Sequence, residues 1–412
     1  MNGGSASGAV SELPVTGLET ALARLVRPGM RVALADGCGT PELLHGPLSR
    51  VAAGRAVRLV LGWMPAAAPD LDASAFADVR VLMGGPGTRA MVETGLAHVV
   101  PCRLSAVPAL LGGPLRPDLL LATVVRGRDG FRFGAEVGYL RGLVAAGVPV
   151  AAVVATGAPC ADAGPPLPSD QVTVLAETDR GPAELGTPPP TAADEEIARR
   201  VARLVPAGAR VQVGPGRLAQ AIVSNLDVPV RIDSGLLPDP VVDLDRRGLL
   251  VGDPVATYLS GTRRLYDWAD GRRILRPIET THDIGRLSDP GLPPLIALNA
   301  ALEIDWDGQV NVEGVHRSAA GMIGGHPDYA AAGARGHGLS VIAVATAHRG
   351  RPTLVRRLSR PVTTGSHDVD IVVTDRGVAD LRGLNRAERR RALRAAWGDE
   401  LAGGEDGGQD DA

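Results

Sequence analysis

The sequence predicts an α/β protein made of two similar α/β domains, related by internal duplication, each with a parallel or mixed sheet covered by helices. Three observations predict it. A ten-residue segment recurs: ARLVRPGMRV at 23–32 and ARLVPAGARV at 202–211 agree at seven of ten positions without a gap. Each copy has the same sequel, a strand, a Gly-rich turn (ADGCGTPELL, 35–44; VGPGRLAQAI, 213–222) and a helix. Near-continuous Val/Leu runs then alternate with helix-period segments, the pattern of strands buried on both faces.

In chain order, VRLVLGW (57–63), VRVLMGG (79–85), DLLLATVV (118–125) and VPVAAVVAT (148–156) read as buried strands. The apolar stretch 143–159 is broken by Gly147, Pro149 and Gly157, so it reads as a helix end, a turn and a strand, not a membrane span. Pro/Gly/acid-rich segments at 155–170 and 177–196 flank one short strand, QVTVLAE (171–177). Thr191 and Asp194 form a capping-box pattern that opens the next helix. The boundary therefore falls near 180–192, giving domains over 1–185 and 190–402. RVQVG (210–214), LIALNAALEID (295–305), LSVIAVATA (339–347) and VDIVVTD (369–375) read as the strands of the second half. Residues 403–412, acidic and Gly-rich, read as a disordered tail.

Composition narrows the function. The 412 residues are 45% hydrophobic and 22% charged, so they suit a globular chain of two domains. A net charge of −3 argues against nucleic acid, and Arg389–Arg391 read as a solvated helix face. Three widely spaced cysteines without a CxxC argue against a disulfide framework or zinc knuckle. With no signal-peptide pattern at the N-terminus, a cytoplasmic location is expected.

Candidate chemistry sits at corners. Gly214 and Gly216 follow a strand and precede a helix, where backbone amides can meet an anion. The turn lacks the third glycine of a dinucleotide fingerprint and the GK[ST] of a P-loop. In MIGGHPDYAAAG (322–333), the Gly324 and Gly325 amides could form an oxyanion-type site at a helix start, beside His326 and Asp328. His367, Asp368 and Asp370 lie on a strand that alternates sides, which argues against a metal site. No GxSxG is present for a serine nucleophile. Cys38, between Gly37 and Gly39, is a candidate nucleophile without a recognisable activating histidine. In VPVRIDSGLLPDP (228–240) a strand stops at Asp233-Ser234-Gly235.

ALNAALEIDWDGQVNVEG (297–314), GMIGGHPDYAAAGARGHGLSVIAVATA (321–347) and TTGSHDVDIVVTDRGVADLRGLNRAERRRAL (363–393) together resemble the acetyl-CoA hydrolase/transferase family. The first half resembles it more loosely, through 27–44, 81–111 and 116–125. The resemblance implies a glutamate that attacks an acyl-CoA thioester and becomes glutamyl-CoA. It implies CoA or acyl-CoA and a small carboxylate as ligands, no covalently bound cofactor, and a homodimer or a hetero-oligomer with a catalytic relative. Gly324, Gly325 and Asp328 match the family's GGxxDF block, with Tyr329 for Phe and His326 where Gln is frequent. Gly214 and Gly216 match its Gly-rich turn. Asp239–Leu244 matches a DGVVDL block, which places Gly235 where the family holds its glutamate. Three readings follow: a transferase or hydrolase using Asp233, or water with Asp233 or Asp239 as base; an inactive CoA-binding homologue or partner subunit; and a different CoA-ester chemistry, hydratase or hydrolase, on the same scaffold.

Overall fold

The computed structural model describes residues 15–398 apart from 317 and 320. The acidic tail at 403–412 lies outside the described residues.

The first half builds a sheet from β1 (Arg31–Leu34), β2 (Arg58–Leu61), β3 (Asp78–Val81), β4 (His98–Val99), β5 (Leu119–Gly127), β6 (Gly130–Phe133), β7 (Val150–Ala155) and β8 (Val172–Thr178). Its order is β4-β3-β2-β1-β5-β7-β8, with β6 as an antiparallel hairpin on β5. All its other pairings are parallel, and β1 and β2 run Val32↔Leu59 and Leu34↔Leu61. The second half contributes β9 (Arg210–Val213), β10 (Arg231–Ile232), β11 (Leu236–Leu237), β12 (Tyr258–Leu259), β13 (Leu295–Ala300) and β14 (Glu303–Asp305). Its main sheet runs β10-β9-β13, then strands Leu339–Ala343, Ile371–Val373 and Val378–Asp380. β1 and β9, the strands of the recurring segment, hold corresponding places: each lies between the strand that follows its Gly turn and the long strand of its half.

The predicted strand 295–305 is two strands in two sheets. Ala301 donates to Ala343 O and Leu302 donates to Asn311 O, which turns the chain between β13 and β14. β14 joins Val310–Asn311 and Leu354–Val355 in a separate three-stranded sheet. The capping box forms as the sequence implies: Thr191 Oγ1 accepts from Asp194 N, and the Asp194 carboxylate accepts from Thr191 N at 2.8 Å. No described helix is long and apolar enough to cross a membrane.

The halves share one buried cluster, in which Val124, Phe133 and Val137 pack with Leu237, Tyr258 and Leu275. Backbone bonds stitch them together: Val137 N donates to Thr257 O at 3.0 Å, and Leu259 N to Ala135 O at 2.8 Å. Tyr258 donates to Asp36 Oδ2 at 2.6 Å and meets the Trp63 ring edge-on at 5.3 Å.

Glu136 lies at this junction, 1% exposed, and accepts from Gly39 N at 2.9 Å. Burial, with Asp36 nearby, pushes its carboxyl up from 4.5 to about 8. The folded protein therefore keeps a proton that the unfolded chain loses, and stability falls as pH rises from 4.5 through 8. Asp36 acts in the same direction, while the depressed His45, His282 and His326 act oppositely below 6.5. Glu136→Gln removes only the Glu136 contribution. Its stability relative to wild type should climb between pH 5 and pH 8, read by denaturant unfolding at several pH values. Parallel pH profiles for the two proteins would refute the assignment.

Candidate active site

The corner Asp233-Ser234-Gly235 sends its three residues to three places. Asp233 turns inward, 4% exposed. Its carboxylate accepts from Arg210 Nη1 at 3.0 Å and from both Arg286 Nη atoms at 2.9 and 2.8 Å. Ser234 Oγ donates to Val213 O at 2.9 Å and accepts from Val213 N, locking the corner to the end of β9. Gly235 accepts from the amides of Thr257 and Tyr258, and its α-carbon faces a cavity.

That cavity, of about 300 Å³, opens at the carboxyl ends of β9 and β13, where ligands of parallel sheets bind. The first half supplies Trp63, Met83 and Leu104; the second supplies Gly214, Gly235, Gly324, Gly325 and His326, among others. The structure thus brings these five predicted residues to one wall system. Gly216, Asp233 and Asp328 are not on it.

Each exclusion has a physical reason. Gly216, at φ +103°, caps the helix Arg217–Asn225 in a conformation that only glycine adopts readily. Asp233 is consumed by two arginines, contrary to the expectation that it reaches the site. Asp328 faces the first half, accepting from Ser105 Oγ at 2.6 Å and Ser105 N at 3.1 Å. Burial pushes it up to about 6. Asp239 is occupied by Thr262, whose amide and hydroxyl both donate to it at 3.1 Å. Cys38 is 2% exposed and burial pushes its thiol up to about 12, so no thiolate is available there.

The double-glycine turn is held from the other half: Leu104 N donates to Gly324 O at 3.1 Å. Gly324 has φ +54°, which bends the chain into the helix His326–Gly333. No described residue accepts a hydrogen bond from the Gly324 or Gly325 amide. Two such amides at a helix start can stabilise a developing oxyanion. His326 anchors the turn. Thr364 Oγ1 lies 2.7 Å from Nδ1, and Nε2 reaches Ala300 O at 3.1 Å. Burial pushes this ring down to about 4, so it is neutral and fully bonded.

Sequence reasoning missed His282, which lines the cavity at 1% exposure. A Cβ at position 235 would lie 3.2 Å from His282 Nε2, and position 325 leaves no room for a Cβ against the same atom. Thr281 Oγ1 lies 2.9 Å from His282 Nδ1 and 3.4 Å from Pro277 O; when the hydroxyl donates to Pro277 O the ring proton sits on Nδ1 and Nε2 keeps a lone pair. Burial, with Arg286 adding to it, pushes the ring down to about 3.

Residues 261–396 match the acetyl-CoA hydrolase/transferase C-terminal domain. The chain is also 30% identical over 337 residues to the succinyl-CoA:cyclohexane-1-carboxylate CoA transferase of Geobacter metallireducens, covering 74% of each chain. The chain belongs to the acetyl-CoA hydrolase/transferase family. A second member, the 4-hydroxybutyrate coenzyme A transferase of Clostridium kluyveri, is 27% identical over 336 residues, covering 76% of this chain and 77% of that one. In three dimensions, RipA from Yersinia pestis superposes with a TM-score of 0.82 at 22% identity, covering 94% of this chain and 98% of that one. The two-sheet architecture is thus the fold of that solved structure.

Proposed function

We propose that the cavity holds an acyl-CoA with its thioester carbonyl on the Gly324 and Gly325 amides, and that cleavage, when it occurs, is hydrolysis without a glutamyl-CoA intermediate. One observation carries this reading: Gly235, which the resemblance aligns with the family's glutamate, lines the cavity, and no Asp or Glu is among the described lining residues. His282 Nε2 is the base nearest that position. In this reading a water oxygen attacks the thioester carbon while Nε2 takes a water proton. The resulting oxyanion rests on the two amides. Collapse breaks the C–S bond, the imidazolium returns its proton to the leaving thiolate, and carboxylic acid and CoA result. A ring pushed down to about 3 is a weak base, so turnover is slow.

The test is acetyl-CoA and butyryl-CoA with radiolabelled acetate, following thiol release and transfer of CoA to the label. Slow thiol release, no labelled acetyl-CoA and no enzyme–CoA adduct by mass spectrometry are expected, with His282→Ala abolishing the release. Label in acetyl-CoA would overturn the proposal. The absence of a lining carboxylate also favours a binding-only homologue. CoA that raises the melting temperature without any thiol release would select that second reading.

A further inference from the structure

The first half has a cavity of its own, of about 80 Å³. It shares no lining residue with the cavity that Gly235 lines. It lies where β1, β7 and β8 end, and Gly134, Ala135, Val153 and Ala155 give it an apolar wall. A water takes about 10–15 Å³ of such space, so a guest of about four or five non-hydrogen atoms fits.

Its polar groups are mostly free donors. Glu136 accepts from Gly39 N through Oε2, and no described residue bonds its Oε1. Burial, with Asp36 nearby, pushes this carboxyl up to about 8, so it is protonated near neutrality and the proton belongs on the free oxygen. Thr123, 8% exposed, has a hydroxyl that no described residue bonds. Thr178 Oγ1 accepts from Arg180 N at 3.2 Å and keeps its own proton to give. Cys38 and Thr40 also line the cavity, and no described residue accepts a hydrogen bond from either amide. Arg180 stands at the exposed rim. Its neighbour Glu177 is taken by Arg126, which leaves Arg180 without an ion pair among the described residues.

An excess of donors beside one cation calls for a guest that only accepts and carries one negative charge. A dianion would bring in a second charge that nothing offsets. Glu42, the other charge at the rim, is exposed and screened by solvent. A metal ion is a poor fit, since no group of three His, Cys, Asp or Glu among the described residues could hold one.

We propose that this cavity is a ligand site separate from the one at Gly235, and that Glu136, Thr123, Thr178 and Arg180 hold a compact singly charged oxyanion there, a small carboxylate or bicarbonate. The inference does not depend on the acyl-CoA reading.

Binding uses the Glu136 proton, so affinity is full below pH 8 and falls as pH rises through 8. The other groups facing Glu136 hold their state between pH 7 and pH 9.5. Asp36 sits at about 6, Cys38 at about 12, and burial pushes Tyr258 and Tyr266 up beyond that range.

The full-length protein is titrated with acetate, bicarbonate and benzoate against chloride at constant ionic strength, with and without CoA, and binding is read from carbon-13 line broadening. Acetate or bicarbonate should bind, and the tighter of the two names the source of the oxyanion; benzoate should not bind. Thr123→Val and Arg180→Ala should each weaken binding about tenfold. Wild-type affinity should drop about 30-fold from pH 7 to pH 9.5, whereas Glu136→Gln, which keeps a donor, should bind with a flat profile. Chloride or benzoate matching both oxyanions overturns the inference, as do affinity untouched by Thr123→Val and Arg180→Ala and a flat wild-type profile. Displacement of the oxyanion by CoA also overturns it, since the guest would then lie in the other cavity.

Discussion

Glutamate introduced at position 235 alone should yield no CoA transferase, whereas Gly235→Glu combined with His282→Ala should. The backbone is no obstacle, because Gly235 is absent from the positive-φ glycines and accepts an L side chain. The obstacle is the His282 ring, whose Nε2 and Cε1 would lie 3.2 and 3.3 Å from the new Cβ. Overpacking of this kind costs about 1–3 kcal/mol, so the single variant should be less stable than wild type and as inactive in transfer. Cutting His282 back opens the space into which the carboxylate must extend. Losing a covalent nucleophile can cost on the order of 10⁶ in rate, so even partial restoration should raise exchange by about 100-fold or more over wild type. CoA exchange and the mass of a glutamyl-CoA adduct read the result. Transfer by the single variant would show that the imidazole does not block the position. A double variant that binds CoA yet transfers nothing would show that the remaining walls have changed as well.

Asp233→Ala should destabilise the fold by about 3–5 kcal/mol, because it strands two arginines that one buried carboxylate now satisfies. Arg210 and the Asp233 side chain are each 6% exposed, and Arg286 closes the pair from the other side. CoA affinity measured on folded protein should stay within about twofold, since the nearest part of the corner on the cavity wall is Gly235. Urea unfolding and CoA titration separate the two effects. A variant of full stability that has lost thioester cleavage would make Asp233 the acid after all.

The glycine turns were legible because their information is local: a glycine pair between a strand and a helix has few physical uses. The strands were legible for the same reason, except at 295–305, where an unbroken apolar run concealed a change of sheet at Ala301–Leu302. His282 carried no local signal, since its relation to Gly235 exists only once the intervening chain has folded. Asp233 misled in the opposite way. An acid at a strand end looks available until Arg210 and Arg286 arrive from distant positions. The two buried amides on the cavity wall did leave a trace: Gln212 interrupts RVQVG and Asn299 interrupts LIALNA, each a lone amide in a buried strand. A polar side chain that a strand cannot place on a wet face must either find a partner or await one.

The double-glycine turn is fastened from outside its own half, through Leu104 N on Gly324 O and Ser105 on Asp328. A gene fragment encoding residues 192–398 would keep nearly every cavity residue and still lose the anchors that aim the two amides. The aim of the two amides is therefore a property of both segments together, and either one alone lacks it.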